Sequence, residues 1–187
     1  MKIEKLESGN FYHIYNRGNN SQYVFLDELN YSYFLNLVKK YLVPISKIYC
    51  YCLLKNHFHI LLRIDDDSIN ASQRFSNLFN AYTKAINKKY GRTGSLFEKP
   101  FKRIKISDEE YLKKLILYIH LNPEKHQISE DFKEYKHSSY QAILSTNKTD
   151  LAREDVISLF DDIENFIETH QMKKIIINLK NEILFLE

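Results

Sequence analysis

The chain predicts an α+β fold of the ferredoxin-like, split βαβ kind: an antiparallel sheet with helices packed on one face, followed by a helical C-terminal extension. Three observations carry this expectation. Strand and helix signals run in the order β-α-β-β-α-β, plus a helix. The two middle strand signals are separated only by Lys55 and Asn56, the length of a hairpin loop. At 187 residues and 44% apolar composition, the chain is long enough for one well-buried core and too short for two ordinary domains.

Each element has its own warrant. "FYHIYN" (11–16) alternates and is rich in aromatic and β-branched residues, so it reads as a strand, with "NRGNN" as loop chemistry behind it. Asp27 caps a helix in which Tyr31, Phe34, Leu35, Val38, Tyr41 and Leu42 recur at helical spacing until Pro44. "SKIYCYCLL" and "HFHILLRI" are the hairpin strands. Phe75, Leu78, Phe79, Tyr82, Ala85 and Ile86 then mark a second helix within 70–90, stopped at Tyr90-Gly91. "GRTGSLF" is a basic loop and "FKRIKI" (101–106) a strand. The helix in "SDEEYLKKLILYIHLNP" opens with a capping box from Ser107 to Glu110 and closes at Pro123. Residues 151–170 predict one or two short acidic helices, and 171–187 either a helix or an edge strand. The domain division that follows is 1–145 for the sheet-bearing part and 146–187 for a helical extension on the same core.

Composition narrows the setting. No stretch approaches the roughly 20 apolar residues of a membrane span, and the N-terminus lacks the apolar core of a secretory signal, so no membrane partner and a cytoplasmic location are expected. Cys50 and Cys52 lie too close in sequence for an ordinary disulfide and read as small buried apolar residues. The net charge is only +3, but residues 74–105 hold nine basic residues against Glu98 alone, whereas 150–170 is acidic. A nucleic acid would approach the first segment and avoid the second.

The chemistry lies in "KNHFHILLR" (55–63). Strand alternation puts His57, His59, Leu61 and Arg63 on one face and Phe58, Ile60, Leu62 and Ile64 on the other. With the apolar set against the helices, both imidazoles lie on the open face of the sheet, about 7 Å apart at Cα, close enough to share a divalent cation. Two polar residues on a half-exposed strand is the plainer reading. In "LILYIHLNP", Tyr118 and Asn122 are four apart and share a helix face, although either alone also reads as a core tyrosine or a helix cap. A tyrosine can attack a phosphodiester and become joined to it, while a cation held by two imidazoles and an amide oxygen polarises the phosphate. Such a donor set suits Mg²⁺ or Mn²⁺ better than zinc. His13 and His120 are conceivable accessories.

These residues resemble the HUH single-strand transposases with one tyrosine, specifically the REP-associated tyrosine transposases. The resemblance rests on five ordered stretches: "YHIYNRGNNSQYVF" (12–25), "YCLLKNHFHILLR" (51–63), "NKKYGRTGSLFEKPFKR" (87–103), "YIHLNP" (118–123) and "YKHSSYQAIL" (135–144). It implies that 1–145 is a catalytic domain in which His57 and His59 bind the metal, Asn122 stands where relatives place a metal-binding polar side chain, and Tyr118 is the nucleophile. The implied reaction cuts single-stranded DNA beside a hairpin, leaving a 5′-phosphotyrosine link and a free 3′-hydroxyl. Arg17, Lys88, Lys89, Arg92, Lys99, Lys102 and Arg103 would contact DNA, and Tyr90, Phe97 or Phe101 would stack on bases. Relatives include monomers and homodimers that exchange active-site helices. The chain departs from the family in having Lys136-His137 for a frequent Pro-Trp and Leu54-Lys55 for Met-Pro. Two other readings are a hairpin-binding protein that does not cut, and a replication or mobilisation nuclease of the same superfamily.

Overall fold

The computed structural model describes residues 4–66 and 70–172. Its sheet is built from β1 (Phe11–Arg17), β2 (Ser46–Leu54), β3 (His57–Ile64) and β4 (Lys102–Ile106), in the spatial order β2-β3-β1-β4 with every neighbouring pair antiparallel. That order follows from the split βαβ connections: the hairpin β2-β3 inserts β3 beside β1, and β4 takes the remaining side. Two helices connect the strands, α1 (Glu28–Tyr41) and α2 (Ala71–Tyr90). Asp27 and Asn30 form a reciprocal capping box on α1, and α2 ends at Gly91 in the left-handed region.

Both helices pack on one face, where Phe34, Leu37, Phe75, Leu78 and Tyr82 meet Ile14, Phe58, Ile60 and Leu62. The opposite face is not open. It is covered by α3 (Glu109–Lys125), whose Leu112, Leu115, Ile116 and Ile119 pack on Cys50, Cys52 and Leu61. The expectation of an exposed histidine face is therefore corrected, and the reason is legible in β2 and β3. A strand with one wet face alternates, but here a bulge between Ile48 and Cys50 and the run Ile60-Leu61-Leu62 leave apolar residues on both sides. Cys50 and Cys52 are buried free thiols, and burial pushes both up from their ordinary range.

α3 differs from expectation at both ends. Its N-cap is Asp108, which accepts from the Tyr111 N–H, rather than Ser107. It also runs through Pro123 to Lys125 instead of stopping there. Pro123 withholds one hydrogen bond in the last turn, where little helix remains to be broken. After α3, α4 (Tyr140–Leu144), α5 (Arg153–Leu159) and α6 (Ile163–Gln171) complete the second core through Tyr140, Val156 and Phe166. Residues 138 and 151 bridge to the outer edge of β2, which blunts that edge. The acidic segment is a pair of helices, and the expectation for its continuation falls on residues 173–187, outside those described. Among the described residues, no helix is long and apolar enough to cross a membrane.

Candidate functional site

At one end of the sheet the apolar filling gives way to polar groups. β3 contributes His57 and His59, and β1 contributes His13 and Tyr15, with Tyr15 opposite His59 and Arg17 opposite His57 in the register. Gly18 ends this strand because a Cβ there would lie 2.1 Å from the Gln22 carbonyl oxygen. The imidazoles are not independent. His13 Nε2 and His59 Nδ1 are 2.9 Å apart, and His57 Nδ1 lies 2.7 Å from Asn56 Oδ1 in the hairpin turn. Since an amide oxygen only accepts, His57 donates from Nδ1, and its neutral tautomer carries the lone pair on Nε2. Second partners that hold the Nδ1 side of an imidazole are what orient a metal-binding histidine.

α3 brings Tyr118 to this cluster. Its ring is edge-on to His59 at 5.6 Å and to His13 at 6.4 Å between centroids. Tyr118 is 7% exposed, yet its hydroxyl does not end in hydrocarbon: Lys125 Nζ lies 3.4 Å from it and 4.8 Å above the ring. His126, the C-cap of α3, sits 4.9 Å from the His57 ring. Tyr118, Asn122, Lys125 and His126 thus form one stripe at helical spacing. Ending the helix at Pro123 concealed the last two, although offsets of seven and eight from Tyr118 were there to be read.

Asn122 is fully buried one turn beyond Tyr118. Its Nδ2 donates to the Tyr118 carbonyl at 2.9 Å, while its Oδ1 has no hydrogen-bond partner among the described residues. A buried orphan oxygen costs about 1–3 kcal/mol, which makes Asn122 Oδ1 a candidate ligand atom. Among the described residues, no three His, Cys, Asp or Glu side chains are placed to hold an ion together. A cation at the strand histidines would need an oxygen donor besides His57 and His59, and the Asn122 amide oxygen is chemically of that kind.

The cations expected to meet DNA are divided among separate surfaces. Arg17 and Lys102 lie on the histidine face, Arg17 paired with Glu98 at 3.8 Å. Lys99 and Arg103 line a groove on the α2 side of the sheet. Lys88 is exposed on α2, while Lys89 and Tyr90 both bond to Asp27 and hold its carboxyl down at about 2. Arg92 is tied to Asn87 and Gln22. Phe97 is buried in the first core, and Phe101 is half-buried.

His120 points away from Tyr118, as a two-residue offset on a helix requires, into a sealed second cluster. His170 Nδ1 donates to the Phe166 carbonyl at 2.7 Å, which leaves its Nε2 to accept from His120 Nδ1 at 2.9 Å. His120 Nε2 then accepts from Ser139 Oγ at 2.8 Å, and Ser139 Oγ accepts from the Tyr51 N–H at 2.9 Å. Burial pushes both imidazoles down, His170 to about 4. His137 lies flat on Tyr31 with centroids 3.6 Å apart, so an aromatic contact is made there.

No family model and no curated protein matches the sequence. The fold, however, is similar to the solved structure of a REP-associated tyrosine transposase bound to a REP hairpin. The TM-score is 0.63 over 78% of this chain and 85% of that one, at 14% identity, which establishes a shared fold.

Proposed function

We propose that this chain cuts and rejoins single-stranded DNA beside hairpin-forming repeats, with Tyr118 as nucleophile and Mg²⁺ or Mn²⁺ held by His57, His59 and Asn122. The observation that carries the reading is the meeting of one phenol with a strand-borne histidine pair beside an ammonium, with an orphaned amide oxygen one turn along the same helix. The likeness of fold to a transposase bound to a hairpin supports it.

Tyr118 Oη gives up its proton to solvent as it attacks the scissile phosphorus, the 3′-oxygen departs and takes up a proton from solvent, and the 5′-phosphate stays on the tyrosine. One phosphodiester is exchanged for another, so reversal on a second 3′-hydroxyl joins ends without a nucleotide triphosphate. The metal supplies polarisation of the phosphate. His13 and Asn56 orient the two strand histidines, and Lys125 favours negative charge at the attacking oxygen. α3 packs on its own sheet, so these groups meet within one chain.

The test is a denaturing gel of the purified chain incubated with a hairpin-bearing single strand and Mn²⁺. A covalent adduct that vanishes in Tyr118→Phe is expected. No adduct, or one that survives the substitution, refutes strand transfer; retained hairpin binding without an adduct would identify a binding protein.

A further inference from the structure

The groove on the α2 side of the sheet is separate from the histidine site, and the cleavage step described above does not use it. It encloses about 670 Å³ between α2 and the 94–101 segment, within the roughly 300–1,000 Å³ range of ligand pockets. Its apolar part comes from Phe79 and Phe101, and its polar wall from Ser76, Asn80 and Thr83 of α2. Arg103 closes one side: its guanidinium lies 4.0 Å from the Phe101 ring centroid and donates to Ser72 Oγ at 2.8 Å. Lys99 stands at the same wall, and the only acid lining the groove among the described residues, Glu98, reaches towards Arg17.

This combination suits one unpaired nucleotide. A guanidinium already stacked on a phenyl ring offers its other face to a base, an amide and hydroxyls can meet a base edge, and a lysine can meet the phosphate. The register supplies the route. Lys102 shares a row with Tyr15 and His59 on the histidine face, whereas its neighbour Arg103 points to the groove, and β4 is an outer strand of the sheet among the described residues. A strand leaving the histidine site at Lys102 therefore reaches the groove by turning once around β4.

We propose that this groove seats one unpaired nucleotide of the DNA strand processed on the opposite face, its base on the Arg103 guanidinium and its phosphate at Lys99. The proposal rests on the DNA-processing reading. It is tested by fluorescence anisotropy with a blunt DNA hairpin and the same hairpin carrying a single-stranded tail. Asn80→Ala, at an exposed position, and Arg103→Lys, which keeps the charge but removes the planar group, each weaken tailed binding about tenfold and leave blunt binding unchanged. Equal binding of tailed DNA by variants and parent, equal weakening of both DNAs, or a parent indifferent to the tail overturns the proposal. An iodouracil in the tail is expected to photocrosslink to peptides within 72–103, and crosslinking confined to 13–17 or 118–126 also overturns it. Tyr118→Phe on the same tailed DNA separates the two readings, since it removes the covalent adduct while groove binding persists.

Discussion

The molecule holds two histidine clusters on opposite sides of one helix, and they behave as different materials. In the cluster made by His120, His170 and Ser139, every imidazole nitrogen is matched to a protein partner in a single donor-to-acceptor chain ending on backbone groups. In the cluster at the end of the sheet, His13 and His59 bond to each other beside a phenol and an ammonium, and one turn along the same helix lies an amide whose oxygen has no partner among the described residues. Burial is nearly the same, with His59 at 2% and His120 at 0% exposure. Depth does not distinguish the two clusters; the chemistry of the groups around the imidazoles does.

Substitution should separate the clusters most sharply. His59→Ala is expected to lower adduct formation by roughly a hundredfold or more, since it removes a proposed ligand, while leaving the hairpin bound. His170→Ala should do the reverse. It opens a cavity beside Phe166 and orphans His120 Nδ1, at a cost of about 3 kcal/mol in urea unfolding, with activity per folded molecule little changed. Comparable activity losses in both variants would erase the distinction.

Acid sharpens the same contrast at intermediate size. The folded-state value of His170, about 4, lies below the ordinary histidine value of 6.5, so the unfolded chain takes up protons first. This contribution to stability is complete above pH 6.5 and is lost as pH falls towards 4, by up to a few kcal/mol. Urea midpoints at pH 7.5, 6 and 5 should decline accordingly, and His170→Gln, which keeps an acceptor for His120, should flatten the decline. The smallest effect belongs to Lys125→Met. Losing the ammonium 3.4 Å from the phenol should slow cleavage about tenfold, near 1.4 kcal/mol in the barrier, without moving the urea midpoint.

Legibility from sequence followed the range of the interaction. The strand order, the Asp27 cap, the hairpin at Lys55-Asn56 and the shared face of His57 and His59 are set by neighbours a few residues apart, and all appear in the structure. Lys125 and His126 were missed for a local reason, because a proline near a helix end was read as its stop. The two-sided burial of the sheet was missed for a non-local one: nothing within "IYCYCLL" says which helix covers its second face.

What the amino-acid sequence determined alone was periodic: elements, caps, and which side chains share a strand or helix face, because backbone geometry repeats every two or 3.6 residues. What only the tertiary structure decided was juxtaposition. Packing of α3 on Cys50, Cys52 and Leu61 brings Tyr118 to His59 and turns His120 the other way, while the register of β4 divides Lys102 from Arg103 between the two faces of the sheet. Those placements come from burying apolar area between elements far apart in the chain, a non-directional force whose outcome depends on every surface that competes for the same contact.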